Sequence, residues 1–348
     1  LGCEVRGIDL KTESRPEVVE QIKQDVTKHR ILVFKDQGVV SGERHVEISK
    51  WFGELESTFY KHPKSPHPDV FRVSNDSEEG CTGVGRTGWH IDGSFQEAPF
   101  SYSLYHMVNV PKQGATKFAP LAEIVSELPS EKRKEWERLW MVSDRRTGPV
   151  HPLIYRHPIS KKKVLCFHLG MTSGFLYDLG SKEQRMATKP EYRRILKDIH
   201  EEFVKDNGSI QYKHNWSVGD FIISDNLAVG HEATPETQFP RSEVGLRVLH
   251  RTTVKGIYPL FSFADEDLLE KFGSARPNLP YYSTEEVSKH NSKDNRIWVT
   301  FREGVYDITE FVEMHPGGEV ILLAAGAAID PFWNMYANTS KASHLSHS

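Results

Sequence analysis

Residues 245–253 (GLRVLHRTT) read as a strand in which Arg247, Leu249, Arg251 and Thr253 alternate onto one face. Two guanidinium groups then point to one side of a sheet that otherwise reads as core. A buried arginine needs an anion beside it, because an uncompensated charge inside a protein costs several kcal/mol. No acidic residue alternates opposite the pair within this strand. Either a small anionic molecule or an Asp or Glu from a distant part of the chain must answer the two charges, and the residues of the strand leave both open.

The rest of the chain gives that strand a mostly β setting. Residues 16–29 place Val18, Val19, Ile22 and Val26 at helical spacing behind Pro16, residues 31–34 (ILVF) read as a buried strand, and the stretch from Arg44 to Gly53 reads as a second helix with Gly53 just past its end. Up to about residue 119 the texture is of short strands broken by Gly, Pro, Asn and Asp, as in a β-barrel or sandwich. Helical stretches at 120–139 and 190–206 interrupt further strands near 153–155, 164–167, 210–216 and 219–224. Residues 259–280 carry three prolines and read as a linker, after which a helix-like STEEVSKH and two strands around a turn at 303–304 start a second, small domain. The division predicted is 1–258, a linker at 259–280, and 281–348, in keeping with the roughly two domains that 348 residues allow.

Composition narrows the function. Lys+Arg 44 against Asp+Glu 48 leaves no basic footprint for nucleic acid, and no apolar run reaches the roughly 18 residues of a membrane-spanning helix. Cys3, Cys81 and Cys166 fit neither a disulfide framework nor a Cys-rich zinc site. The 17 histidines point to metal or cofactor chemistry instead. The chain opens at Leu1 directly into a strand-like alternation and reads as a fragment, so targeting cannot be read from it; a soluble protein is expected, cytoplasmic or mitochondrial.

A His-x-Asp/Glu pair on a strand can chelate one ion, since residues two apart share a face. It occurs at His45/Glu47, His67/Asp69, His90/Asp92 and His200/Glu202. The first and last lie in helical patterns, where residues two apart diverge. His67-Pro68-Asp69 lies in a Pro-rich loop. In WHIDGSF, His90 and Asp92 share one face and Trp89 and Ile91 the other, with Gly93 permitting a bend; a hydrogen-bonded strand-end couple is the competing reading. His231, in GHEA, lies just past a β element and is the candidate third ligand.

Taken in order, GCEVRGIDL, ILVFKDQ, WFGEL, WHIDGSF, PKQGATKFA, RHPIS, WSVGDFIISDN, GHEATPE and RVLHRTTV resemble the taurine dioxygenase family of Fe(II)/2-oxoglutarate-dependent oxygenases over residues 1–256. The resemblance implies a double-stranded β-helix (jelly-roll) core with flanking helices. It implies His90, Asp92 and His231 as the iron triad, Arg247 and Thr116 as contacts to 2-oxoglutarate, and Arg251 as the contact to a substrate anion. A facial triad leaves room for 2-oxoglutarate and O2, and the implied reaction gives succinate, CO2 and a hydroxylated product. Thr58 stands where the taurine enzyme has a further substrate-binding His, and His62 is the nearest histidine. Hydroxylation of a carbon bearing sulfonate would release sulfite; hydroxylation of a carboxylate substrate is the alternative.

Residues 307–318 (DITEFVEMHPGG), with LLAAG and DPFW, resemble the haem-binding region of cytochrome b5 domains, most of all the one attached to sulfite oxidase. This implies a small α+β domain binding haem b through His315. Ala337, Asn338 and Thr339 follow Tyr336 where the second ligand is expected, and only His344 and His347 lie beyond them: either the loop shifts to let His344 bind, or the haem is five-coordinate, or tight haem binding has been lost. The reading is thus an oxygenase joined to an electron-transfer module, with a molybdenum domain or another redox partner as its counterpart. Two competing readings are a cytochrome b5-type electron-transfer protein with a degenerate oxygenase scaffold and an oxygenase-fold protein that only binds an anionic metabolite.

Overall fold

Pro16 supplies the fixed φ of a helix first turn to α1 (Pro16–His29), which buries Ile22 and Val26. Arg30 ends it in the left-handed region at φ 70°, returning its N–H to the Val26 carbonyl, and turns the chain into the wholly buried β2 (Ile31–Phe34). Helix α2 (Gly42–Lys50) starts two residues earlier than its apolar spacing indicates, because the Ser41 hydroxyl caps it by accepting from the Arg44 N–H. The computed structural model describes residues 1–56, 61–85, 87–144, 149–256, 282–301, 304–309, 312 and 318–328. Two units emerge, residues 1–268 and 269–348.

The first unit is mainly β with flanking helices. Its strands are β1 (Cys3–Val5), β2, β3 (Phe71–Ser74), β4 (Tyr102–Asn109), β5 (Thr116–Pro120), β6 (Leu139–Ser143), β7 (Val150–Pro152) and β8 (Ile154–Arg156). They continue as β9 (Lys163–Leu165), β10 (Thr172–Tyr177), β11 (Arg185–Met186), β12 (Tyr212–His214), β13 (Phe221–Asp225), β14 (Val229–Ala233) and β15 (Val248–Val254). The charged stretch at 120–139 resolves into two helices, α3 (Leu121–Glu127) and α4 (Ser130–Glu137), and α5 (Lys189–Gly208) is the long surface helix.

Two sheets matter for function. The larger has the order β1-β2-β13-β4-β15-β3, and the smaller β12-β5-β14. They share one core in which Ile31, Phe71, Tyr105, Ile222 and Leu249 of the larger sheet pack with Phe118 and Val229 of the smaller. Arg247 lies just before β15 rather than inside it. The register irregularity between β15 and β4 skips Val108 on β4, so the alternation along β15 is kept: Leu249 faces the shared core and His250 the opposite side.

On that opposite side lies a histidine cluster that the sequence argument does not bring together. His250 and His106 are direct cross-strand partners, and His45 of α2 packs against His106 with ring centroids 6.3 Å apart. Burial lowers the pKa of each, that of His250 to about 3 with help from Arg72 and His106; burial likewise takes His151 to about 4. These bases are neutral in the fold, whereas the unfolded chain takes up protons below about pH 6.5. Their contribution to stability is therefore complete above that pH and lost as the pH falls. Thermal midpoints are expected to drop between about pH 6.5 and 4, before most carboxylates titrate; a midpoint that stays flat over this window would refute the assignment.

In the second unit, Ser283 caps α6 (Thr284–Lys289) at the Glu286 N–H, and β16 (Trp298–Phe301) pairs antiparallel with β17 (Gly304–Asp307). Ile297, Val299, Ile308, Val312, Ile321 and Ala324 form its core. His315, His344 and the proposed linker at 259–280 lie outside the described residues. Among the described residues no helix is long and apolar enough to cross a membrane.

Candidate functional site

His231 sits within β14, opposite Phe118 of β5, rather than beyond a strand as its sequence setting indicates. His90 belongs to no strand. It is docked by single bridges to His231 on one side and His168 on the other, and it exchanges both backbone hydrogen bonds with His231, at 3.0 and 2.9 Å. The alternation expected of WHIDGSF survives this change, since Trp89 and Ile91 are fully buried in the core beneath while Asp92 turns toward the two histidines. Gly93 has φ 76°, and a Cβ there would lie 2.7 Å from the Phe100 ring, so the chain can turn away after Asp92 only at a glycine. Asn226 clamps the turn: its side-chain oxygen accepts from the Asp92 N–H at 2.8 Å, and its amide donates to the carbonyls of Asp92 and Phe100.

His90, Asp92 and His231 offer one ligand atom each, all within 4.8 Å of one another, and all three residues are buried. The His90 Nε2 lies 3.9 Å from one carboxylate oxygen and the His231 Nε2 3.7 Å from the other. His90 Nδ1 is 2.7 Å from the Gly88 carbonyl, which draws the ring proton to that nitrogen and leaves Nε2 with its lone pair. Burial lowers the pKa of both ligand histidines, with His231 at about 3, so they are neutral as ligation requires. Burial alone would raise the Asp92 pKa, but Arg251, His231, His90 and the Ser103 hydrogen bond hold the carboxyl well below its usual range. Two neutral imidazoles and a carboxylate are a donor set suited to non-haem Fe(II).

The second line of contacts comes from the larger sheet. Ser103 Oγ donates to Asp92 Oδ2 at 2.8 Å, and the Tyr105 hydroxyl donates to the same oxygen at 3.3 Å. Arg251 Nη1 donates to Oδ1 at 2.7 Å, and its guanidinium lies over the Phe71 ring. Of the two β15 arginines, then, Arg251 has the distant carboxylate that the bare sequence left open. Arg247 does not: it is 4% exposed, and among the described residues no carboxylate pairs with it. Burial brings its pKa down to about 10, which leaves it charged at neutral pH. Its backbone is fixed by Asn75, which accepts from its N–H, and by Ser74, which donates to its carbonyl.

Thr116, at the start of β5, is buried and its Oγ1 accepts from the Trp216 indole N–H at 3.0 Å. Thr58 lies outside the described residues, and His62 Nε2 is 3.1 Å from the Ser77 carbonyl. The other His-x-Asp/Glu pairs do not form metal sites among the described residues: His67 and Asp69 stay in a loop, and His45 and His200 are on helices. Asn226, Ser103, Tyr105, Trp216 and His168 were not singled out by sequence reasoning. Only Trp216 and Asn226 had a usable signal, as the ends of WSVGDFIISDN.

Comparison with known proteins agrees with this geometry. Residues 1–253 match the model of the Taurine catabolism dioxygenase TauD, TfdA family. The chain belongs to this family. It is accordingly a 2-oxoglutarate-dependent dioxygenase, of a family that uses Fe(II) and 2-oxoglutarate. Residues 283–347 match the Cytochrome b5-like Heme/Steroid binding domain, which adds a haem-binding module. A crystal structure of a taurine dioxygenase from Burkholderia xenovorans is 26% identical, covers 74% of this chain and 89% of its own, and has a TM-score of 0.61. The alpha-ketoglutarate-dependent 2,4-dichlorophenoxyacetate dioxygenase of a Burkholderia species is 25% identical over 66% of this chain and 84% of its own length. The second unit is similar to mitochondrial sulfite oxidase of Drosophila melanogaster, 64% identical over 61 residues, which are 18% of this chain and 11% of that protein. The chain spans only 11–17% of the length of four sulfite oxidases similar to this module.

Proposed function

We propose that residues 1–258 hydroxylate a small anionic substrate, a sulfonate such as taurine being the first choice, with release of sulfite. The observation that carries the reading is Arg247, a buried, charged guanidinium with no carboxylate partner among the described residues, four positions before the Arg251 that binds Asp92 of a two-histidine, one-carboxylate cluster. His90, Asp92 and His231 would hold Fe(II), which supplies O2 activation coupled to decarboxylation of 2-oxoglutarate. Arg247 would grip the distal carboxylate of the cosubstrate, and Thr116 would add a hydroxyl contact to it that Trp216 orients. Arg251 would present its remaining donors to the substrate anion while Nη1 keeps hold of Asp92. The two packed sheets are read as a double-stranded β-helix, with 259–280 as linker and 281–348 as the haem module.

In that module His315 is assigned as a haem ligand and His344 as its second. Its similarity to the haem part of sulfite oxidase favours a sulfonate, because a reaction that releases sulfite is then joined to a module resembling one from an enzyme named for oxidising it. Electrons would pass to a molybdenum domain or another redox partner. The relative named for 2,4-dichlorophenoxyacetate favours a carboxylate as the second choice.

The test is succinate and sulfite formation across a panel of sulfonates and carboxylates with Fe(II), 2-oxoglutarate and O2. A sulfonate substrate should give the two products in equal amounts. Succinate formation stimulated only by carboxylates would reject the sulfonate, and no succinate under any condition would reject the oxygenase reading itself.

A further inference from the structure

His168 occupies the third place in a row of histidines. Single bridges pair His90 with His231 on one side and with His168 on the other, so the three side chains leave the same face of the backbone. The two ring pairs differ. His90 and His231 have centroids 4.2 Å apart and planes tilted by 54°, whereas His90 and His168 are 4.6 Å apart and tilted by only 25°. An imidazole lone pair lies in the ring plane, so tilted rings can aim at one ion while nearly parallel rings cannot. The ligand atoms agree with this, since the cluster within 4.8 Å contains His90, Asp92 and His231 without His168.

The surroundings of His168 fix it independently of any ion. Its carbonyl accepts from Thr172 Oγ1 at 2.6 Å and from the Met171 N–H at 3.2 Å. The Leu169 N–H donates to the Trp89 carbonyl, and the Ile91 N–H to the Phe167 carbonyl, which ties both flanks of His168 to both flanks of His90. Its side chain is 5% exposed, and its Nδ1 is buried without a hydrogen-bond partner. An imidazole that gives up a hydrogen bond in order to lie flat against a neighbour is held there by packing.

We propose that His168 is a positioning residue of the metal site, resting on the reading that His90, Asp92 and His231 bind the metal. Its ring is a platform that fixes the plane of His90. The Gly88 carbonyl holds His90 at Nδ1, and a single contact at one edge leaves the ring free to swing about it. The stack on His168 removes that freedom, so the Nε2 lone pair is aimed at the ion before the ion arrives. The flat ring performs this role, and the ring nitrogens of His168 do not.

The experiment compares Co(II) binding to the metal-free full-length chain carrying His168→Leu, His168→Phe or His168→Met. His90→Ala gives the baseline for binding elsewhere, and thermal midpoints of the metal-free proteins report folding. Removing one aromatic stack should weaken Co(II) about three- to tenfold in His168→Leu and broaden its visible ligand-field band, with the metal-free midpoint little changed. His168→Phe should stay within about twofold of the parent and keep the band. If His168→Leu fails to fold, His168→Met offers the same comparison. Unchanged affinity in Leu or Met, or a Phe variant as weak as Leu, would overturn the proposal. Loss of Co(II) binding in no variant, His90→Ala included, would instead refute the metal site on which it rests.

Discussion

Replacing Asp92 by alanine is expected to lower succinate formation by about a thousandfold or more, since it removes the one anionic ligand of the cluster. The same change leaves Arg251 inside the protein without its partner, so a loss of activity alone could come from a disturbed fold. Asp92→Asn separates the two effects. The amide oxygen can still accept from Arg251, while its NH2 donates to the Ser103 or Tyr105 hydroxyl, each of which can turn to accept, so the fold should keep its thermal midpoint within a few degrees; the amide is nonetheless a poor ligand for a divalent ion. Both variants should lose Fe(II) affinity, measured anaerobically on the metal-free protein. Parent-like turnover in either variant would remove Asp92 from the site and with it the facial arrangement.

Arg247→Leu is expected to raise the KM for 2-oxoglutarate by roughly a hundredfold, the effect of deleting one side of a buried, charged hydrogen-bonded pair. Without the cosubstrate the sign of the stability change is opposite to that of an ordinary ion-pair deletion. Arg247 is buried and charged with no carboxylate among the described residues, so an apolar side chain relieves a desolvation cost. The variant should therefore melt no lower than the parent when 2-oxoglutarate is absent, and should gain less than the parent when it is added. A parent-like KM would reassign Arg247 to the framework. A large drop in the ligand-free midpoint would show a partner beyond the described residues.

Local pattern made much of this legible. The period of residues 16–29, the apolar ILVF run and the β15 alternation all follow from side-chain geometry, and the structure keeps them. His90 and Asp92 were found by an argument about strands although His90 is held only by bridges, because what survives is the in-and-out order of Trp89, His90, Ile91 and Asp92. The partner of Arg251 was not legible. It lies 159 positions away, and nothing in RVLHR distinguishes an arginine waiting for a ligand from one already paired. Ser103 and Tyr105 stayed hidden in YSLYHMVN, which reads as any half-buried strand, and FHLG carries no motif that would mark His168. Long-range register decides each of these, and register is a property of the closed sheet rather than of a segment.

The ligands are divided between the two layers of the fold. His231 belongs to β14 of the smaller sheet and carries His90 with it through paired backbone bonds. Asp92, by contrast, is gripped by Ser103 and Tyr105 of β4 and Arg251 of β15, all in the larger sheet. An ion held by all three would act as a rivet through the sandwich, and by linkage each layer's grip on it strengthens the other's. Loosened packing far from the chemistry, for instance at Phe118 or Ile222 between the sheets, would then be felt first as metal loss. Such a variant would fade as an enzyme, and recover with added iron, at temperatures where its strands are still intact.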